Sequence, residues 1–333
     1  MKRRLFLQSG SAAALGAALS ACGGGGGGGD SAVAGSLAAG VTATDAGMTG
    51  PAAAPAAAPA TQVLADGLPA KVLGCYYTAW DPSIKITDIP TDFNVIYLFH
   101  CKPNGKANNA GDGGVIFEHF GDVTAEQVQA CRARGQKVIL TVGGAGQGYA
   151  WDNRQKATNL VNSFRAIADQ FGGVDGIDYN NYEGTIVHEG NVEAVGAEMV
   201  WAARQLKAVY GANFAVTSPP QPNDPVQRRL MQILREGGAL SYAAPQYYDW
   251  NGFNAPGYIS GSIDVWTGLL GEEHVAVGLA ANYWNGPSMD DCIREWNTIK
   301  AAHPNVRGMF CWSAQTNLQG GNGWGSQMRS LLG

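Results

Sequence analysis

Short apolar runs rich in β-forming residues recur eight times between Lys71 and the C-terminus, separated by helical or loop segments. The runs are continuous rather than alternating in polarity, which is typical of parallel strands buried on both faces. Eight such strands in α/β alternation predict a single (β/α)8 TIM barrel over residues 71–333. The predicted strands are Lys71–Tyr76, Phe93–Phe99, Lys137–Val142, Val174–Tyr179, Phe214–Ser218, Tyr242–Tyr248, His274–Ala280 and Val306–Trp312.

Helix-start signals support the alternation. Thr124 opens a capping box, Asp224 followed by Pro225 places an N-cap before a first-turn proline, and Ser288 precedes a run ending near residue 303. The segment 80–92 between the first two strands is too short and too broken by proline for a good helix. An open doubly wound sheet is the alternative fold, but no glycine-rich dinucleotide loop supports it.

The N-terminus carries features of an export signal rather than of a folded element. Arg3–Leu7 resembles the twin-arginine signal, and Leu19–Cys22 resembles the bacterial lipobox, in which the cysteine becomes lipidated. We therefore expect an export signal over residues 1–21 and lipidation of Cys22. The alternative is an ordinary secretory signal that is cleaved after Ala21.

Residues 22–70 form a low-complexity linker in this interpretation. Seven consecutive glycines, Gly23–Gly29, lead into a stretch rich in Ala, Gly, Thr and Pro that cannot bury a core. The predicted location is the bacterial cell envelope, exported and attached to the membrane through Cys22, or secreted if that cysteine is not lipidated.

Composition restricts the class of ligand that the protein is expected to bind. The net charge of −5 argues against nucleic acid, which a basic surface would bind. Nine Trp and twelve Tyr suit a surface that stacks on sugar rings, although aromatics also simply fill cores. No Cys or His spacing indicates a metal site, so we expect neither a metal nor a cofactor. We also expect the barrel to be a monomer. Beyond Cys22 five cysteines remain, which leaves at least one free thiol, and Cys75 and Cys311 lie in core-like apolar runs.

Active sites of TIM barrels lie at the carboxyl ends of the strands, so those ends are the informative segments. Five of the predicted ends carry polar or aromatic clusters. They are Tyr76–Trp80, Thr141–Gly144, Val174–Glu183, Gln246–Asp249 and Cys311–Ser313.

These segments together resemble glycoside hydrolase family 18, the chitinases and endo-β-N-acetylglucosaminidases. That family carries S/TxGG after the third strand, DGxDxDxE on the fourth, Gln-x-Tyr or Met-x-Tyr on the sixth, and a Trp closing the eighth. The resemblance implies hydrolysis of β-1,4 linkages in an N-acetylglucosamine oligo- or polysaccharide such as chitin. It also implies a retaining mechanism, in which the acetamide of the substrate serves as the nucleophile.

The same resemblance assigns roles residue by residue. Asp178 matches the inner Asp of the motif, Asn180 takes the position that orients the acetamide, Tyr248 holds the acetamide oxygen, and Trp312 forms the floor under the distorted sugar. Tyr247 would replace Tyr248 if the register of the sixth strand differed by one residue. The other expected substrate-binding residues are Gln246, Tyr76, Trp80, Gly143, Gly144 and Tyr182.

The fourth strand departs from the family pattern. Its eighth motif position is Tyr182, and the glutamate, Glu183, follows one residue later. Because side chains alternate faces along a strand, a one-residue slip turns a side chain to the other face. One hypothesis is a β-bulge at Asn180–Asn181 that returns Glu183 to the barrel mouth as the catalytic acid. The other is a non-catalytic, lectin-like barrel that has lost the acid and needs only the aromatic cleft. A purely structural envelope protein, the third possibility, would have neither an inward-facing Glu nor an aromatic cleft.

Other residues near the strand ends have two interpretations. Trp80, Trp250 and Trp284 could stack on sugars or pack at the rim. Asp175 begins the motif and is expected to be a structural or proton-buffering residue rather than a direct contact, while His100 and His188 are expected in surface loops. Gly143 and Gly144 of the third-strand motif could let a ligand approach the backbone closely, or they could simply be required by packing in the barrel.

Overall fold

The computed structural model describes residues 63–104, 111–147, 149–180, 186–249, 251–280 and 286–332. The export signal, Cys22 and most of the linker lie outside these residues, so their boundaries and roles stay predictions. Tyr182, Glu183, Trp250 and Trp284 also lie outside them.

The described chain is built around a curled sheet of parallel strands. The strands, in chain order, are β1 Val72–Thr78, β2 Val95–Pro103, β3 Val115–Ile116, β4 Lys137–Gly143, β5 Gly176–Asn180, β6 Ala215–Ser218, β7 Tyr242–Ala243, β8 Val277–Leu279 and β9 Gly308–Cys311. Neighbouring strands pair in the order β7-β6-β5-β4-β2-β1-β9-β8, and the short β3 pairs antiparallel with β2 at one side. Each of the eight predicted strands therefore corresponds to an observed one.

The two ends of this order meet and close the sheet. Parallel bridges join Ala243 to Val275 and Gln246 to Gly278. The Gly278 N–H donates to Pro245 O at 2.9 Å. Pro245 has no N–H of its own, which explains why the predicted strand Tyr242–Tyr248 is observed as two paired residues followed by an isolated bridge. The α/β barrel prediction is confirmed.

Helices cover the outside of the sheet. They are α1 Ala125–Ala133, α2 Arg154–Gln170, α3 Val192–Tyr210, α4 Pro225–Glu236, α5 Tyr258–Leu270, α6 Met289–Ala302, α7 Ala314–Gln319 and α8 Gly323–Leu332. The start signals are confirmed: Thr124, Asp224 and Ser288 each cap their helix through a side-chain oxygen. Between β1 and β2 the chain forms only a 3-10 turn, Ile86–Asp88. Within the described part of the chain, no helix combines the length and apolar character needed to span a membrane.

Strand residues alternate between two apolar layers, as the period of two requires. One layer lies between the sheet and the helices and contains Cys75 and Cys311, which are buried and unbridged like Cys101, Cys131 and Cys292. The other layer fills the barrel interior with residues such as Tyr76, Tyr97 and Phe310. The core interpretation of Cys75 and Cys311 is therefore confirmed.

The segment before β1 packs against the barrel at the amino ends of its strands. Leu68 is fully buried in the interior layer. Asp66 pairs with the buried Arg307 at 2.9 Å, and Arg307 also donates to Pro69 O. These contacts fix the amino ends of the strands opposite the end where the predicted site residues lie.

Candidate active site

A cavity of about 300 Å³ opens at the carboxyl ends of the strands. Its described lining comes from segments that are distant in sequence and that the parallel strand order brings to one end of the barrel. The lining residues are Trp80, Phe99, His100, Ala145, Asn180, Gln246, Tyr248, Asp249 and Trp312. Five of the predicted site residues, Trp80, Asn180, Gln246, Tyr248 and Trp312, thus share one cavity.

Asp178 lies one pleat below Asn180 on the inner face of β5 and is 1% exposed. Its Oδ2 accepts hydrogen bonds from the Tyr76 hydroxyl at 2.8 Å and from Thr141 Oγ1 at 3.1 Å, and its Oδ1 accepts one from Thr217 Oγ1 at 2.7 Å. Burial raises the pKa of Asp178 to about 6, against the three hydroxyl donors, which favour the ionised form. The carboxyl group therefore changes charge just below neutral pH.

The sixth-strand residues take opposite directions. Tyr248 lines the cavity and is 7% exposed. Tyr247 is fully buried on the other face, where its hydroxyl donates to Ser262 Oγ at 3.0 Å in the first turns of α5. Gln246 faces the cavity and donates through Nε2 to Pro219 O. The structure thus places Tyr248 rather than Tyr247 beside Asn180.

Aromatic rings form the floor and one wall of the cavity. The Trp312 ring lies 5.0 Å from the Phe99 ring, nearly perpendicular to it, and 5.5 Å from the Tyr76 ring. Trp80 stands at the rim, 46% exposed and 5.4 Å from Phe99. This arrangement supplies broad apolar faces beside a few polar groups, as small-molecule sites commonly do.

The prediction that His100 is a surface loop residue is wrong. The strand β2 continues past Phe99 to Pro103, so His100 lies within the strand and is only 8% exposed. The pairing of β2 with β4 shifts register between Leu98 and Cys101, an irregularity of the kind that re-aims a side chain. His100 consequently lines the cavity, a position that the simple alternation of side chains along the second predicted strand does not indicate. The expectation for His188 is confirmed, since it is exposed in the loop before α3.

Gly143 and Gly144 adopt positive φ angles of 94° and 128°. A Cβ at Gly143 would lie 2.4 Å from the Asn180 carbonyl oxygen, and one at Gly144 would lie 2.6 Å from the Phe99 ring. The end of β4 can approach β5 and the aromatic wall because both residues lack a side chain.

Gly143→Ala is expected to lower the free energy of unfolding by about 2 kcal/mol or more, because strain at positive φ adds to the clash with Asn180. The matched control is Gly135→Ala, since Gly135 has φ 86° but open space around its Cβ position. Urea unfolding of both variants checks this prediction. Equal losses in the two proteins would show that β4 can move away from β5 at no cost.

A second cavity of about 310 Å³ adjoins the first. The two share Gln246, Tyr248 and Asp249 as common walls, and the second is further lined by Gln221, Pro222, Asn223 and Phe253. The described mouth of the barrel therefore forms a cleft larger than one cavity, with amide side chains along its second part.

Asp175, the first Asp of the motif, lies at the other end of β5. It pairs with Arg132 at 3.0 Å and accepts the Val138 N–H at 2.9 Å, which ties β5 to α1 and β4. This is the structural role expected for it. Among the described residues, no group of three or more His, Cys, Asp or Glu side chains is placed to hold a metal ion.

An α/β barrel with an aromatic cleft and a buried carboxyl group at the carboxyl ends of its strands is typical of glycoside hydrolases. No protein-family profile matches the chain. It is 25% identical over 154 residues, 41% of its length, to the "Probable class II chitinase" of Arthroderma benhamiae. It is 22% identical over 174 residues, 49% of its length, to Chitinase Chi52 of Paenibacillus xylanexedens.

These alignments cover 45% and 30% of the two curated relatives, so the chain matches less than half of either protein. Similarity of structure extends further. A solved family GH18 chitinase from Chromobacterium violaceum superposes with a TM-score of 0.66 at 22% identity, over 80% of this chain and 85% of that one. The chain therefore has the fold of family 18 chitinases, and the resemblance predicted from the strand-end motifs is confirmed at that level.

Proposed function

We propose that the protein hydrolyses β-1,4 linkages in an N-acetylglucosamine polysaccharide of the chitin type, with retention of configuration and with Glu183 as the acid. The chitinase relatives and the GH18 fold support a glycoside hydrolase related to chitin.

The observation that carries it is the placement of Asp178. Three hydroxyls from three other strands converge on this single carboxyl group, two residues before Asn180, which lines the cavity. A buried carboxyl with a raised pKa so close to a cleft is more typical of a catalytic site than of a structural core.

The chemistry follows from these groups. The Trp312 ring would hold the apolar face of the reacting sugar, and the Tyr248 hydroxyl and Asn180 amide would fix the acetamide so that its oxygen attacks C1. Asn180 carries no charge, so the negative charge facing the developing oxazolinium would come from Asp178, one pleat lower. Glu183 would donate its proton to the departing glycosidic oxygen.

The cleft favours a polymeric substrate, because two adjoining cavities share Tyr248 and Asp249 and so could hold consecutive sugars. We further propose that the barrel acts as a monomer at the cell envelope, attached through lipidated Cys22. Chitin-like material outside the cell would be accessible there.

Wild-type protein is expected to release fluorophore from 4-methylumbelliferyl chitobioside and not from the matching cellobioside. The cellobioside has a hydroxyl in place of the acetamide, so it lacks the nucleophile of the substrate-assisted reaction. Rates are measured by fluorescence, and NMR of the first product reports the anomer. Equal hydrolysis of both substrates, or an inverted product, would contradict the mechanism.

A non-catalytic glycan-binding barrel is the second candidate, and Asn180 favours it. An amide at the orienting position cannot share a proton with a neighbouring carboxyl group, as an Asp could. This candidate predicts calorimetric binding of N,N′,N″-triacetylchitotriose by a protein that shows no turnover of the chitobioside.

A further inference from the structure

His100 is the one imidazole among the described residues that line the cavity. Its ring lies 4.1 Å from the Phe99 ring and 5.4 Å from the Trp80 ring, so it is held between two aromatic neighbours. The register shift in β2 turns it toward the cavity beside Phe99.

Both ring nitrogens of His100 are buried and lack a hydrogen-bond partner among the described residues. Buried polar atoms without partners are rare and destabilise a fold, so each one calls for an explanation. Phe99 has no hydrogen-bonding group in its side chain, and the indole N–H of Trp80 does not bond to the imidazole. A Phe in place of His100 would pack there at lower cost if packing were its only role.

The imidazole carries no charge over the ordinary pH range. Burial lowers its pKa to about 3, and the neighbouring Lys102 and His119 act in the same direction, against the weaker opposite effect of Glu118. A neutral imidazole has one N–H donor and one nitrogen acceptor. That pair matches a hydroxyl group, which both donates and accepts, and it does not attract an ionic ligand.

We propose that His100 is a sugar-binding residue of this cleft, whose neutral imidazole exchanges hydrogen bonds with hydroxyl groups of the N-acetylglucosamine unit bound on the Trp80 side. The proposal rests on the proposed function and names a specificity-determining residue for the same site. The bound glycan supplies the partners that both nitrogens lack among the described residues.

Access to the imidazole requires a small displacement, because the nitrogens are covered in the free protein. Trp80 is the neighbour able to move, since it is 46% exposed while Phe99 is buried. A sugar that stacks against the Trp80 indole and turns it outward uncovers the imidazole, so the two residues act as one recognition element.

The test is calorimetric titration of N,N′,N″-triacetylchitotriose into wild type, His100→Phe, His100→Asn and the control His188→Phe. His100→Phe keeps a ring of similar shape and removes both nitrogens, and we expect its affinity to fall about tenfold or more. His100→Asn keeps a donor and an acceptor near the position of Nδ1 and should recover part of the loss. His188→Phe, in an exposed loop, should bind like wild type.

Thermal unfolding separates this role from a structural one. Because the His100 side chain makes no hydrogen bond to any described residue, His100→Phe should melt at or above the wild-type temperature. Unchanged affinity of His100→Phe for chitotriose would overturn the proposal, whether or not its melting temperature also falls. If wild type itself neither binds chitotriose nor cleaves chitobioside, the proposed function fails, and the inference fails with it.

A second measurement does not depend on the folding of His100→Phe. In wild type labelled with ¹⁵N-histidine, chitotriose should shift the ring nitrogen signals of His100, assigned as those absent from His100→Asn. Both nitrogens gain partners, so their signals should move together. Binding of the sugar without any such shift would overturn the proposal.

Discussion

Glu183→Gln is expected to lower kcat for a fluorogenic chitobioside by about 10²- to 10⁴-fold, the usual contribution of a positioned general acid. Gln keeps the size of the side chain and removes the proton to be donated. Glu183 follows Asn180, which lines the cavity, by three residues in the sequence. The expectation is for a fall in kcat with binding of chitotriose retained, because the aromatic floor is unchanged.

The matched control is Glu189→Gln. Glu189 follows in the same connection between β5 and α3 and is exposed among residues that the structure describes. Its replacement should leave kcat and KM unchanged. Turnover by Glu183→Gln at the wild-type rate would remove Glu183 from the mechanism, and absent turnover in both wild type and variant would favour the glycan-binding alternative.

The barrel could be predicted because each of its eight strands contains a continuous apolar run, and because three of its helices begin at a capping residue visible in the sequence. The inward direction of Asp178 and Asn180 also follows from local information, namely the two-residue alternation along one strand. Both residues lie in the inner face as expected, with exposures of 1% and 5%.

The direction of His100 could not be predicted in the same way. Simple alternation from Phe99 would turn His100 outward, and the register shift that re-aims it depends on how β2 pairs with β4. Pairing between strands is a tertiary property, and no residue of the second predicted strand indicates the register shift. The same limit applies to Glu183, because the inserted residue after Asp178 can be placed only by knowing the local pairing.

The environment of Asp178 likewise depends on three strands that are far apart in sequence. Tyr76 and Thr141 belong to strand ends that the sequence singles out, whereas Thr217 lies in a predicted strand without such a cluster. Nothing in the sequence indicates that their hydroxyls meet on one carboxyl group. Their convergence has a measurable consequence, since it accompanies a raised pKa.

Wild type is expected to lose about 2 kcal/mol of stability relative to Asp178→Asn as the pH rises from 4 to 7. The folded pKa is raised from 3.8 to about 6, so between these values the folded protein holds a proton that the unfolded chain releases. The stability that Asp178 contributes is therefore fully present below pH 3.8 and is lost as the pH rises through about 6. Urea unfolding of both proteins at several pH values measures the difference, in which the other titrating groups cancel.

Thr217→Val sharpens this prediction. In the wild type, the 2.7 Å hydrogen bond from Thr217 to Oδ1 lowers the pKa of Asp178. The variant removes this bond, so the pKa of Asp178 should rise further. The loss of stability should then continue to higher pH. The same shift should move the acidic limb of the activity profile upward, if the ionised Asp178 supplies the charge that Asn180 cannot. A stability difference that is flat with pH would mean that Asp178 ionises as easily in the barrel as in water. In that case the negative charge below Asn180 would be present throughout this range, and the acidic limb would have to come from another group, with Glu183 as the first candidate.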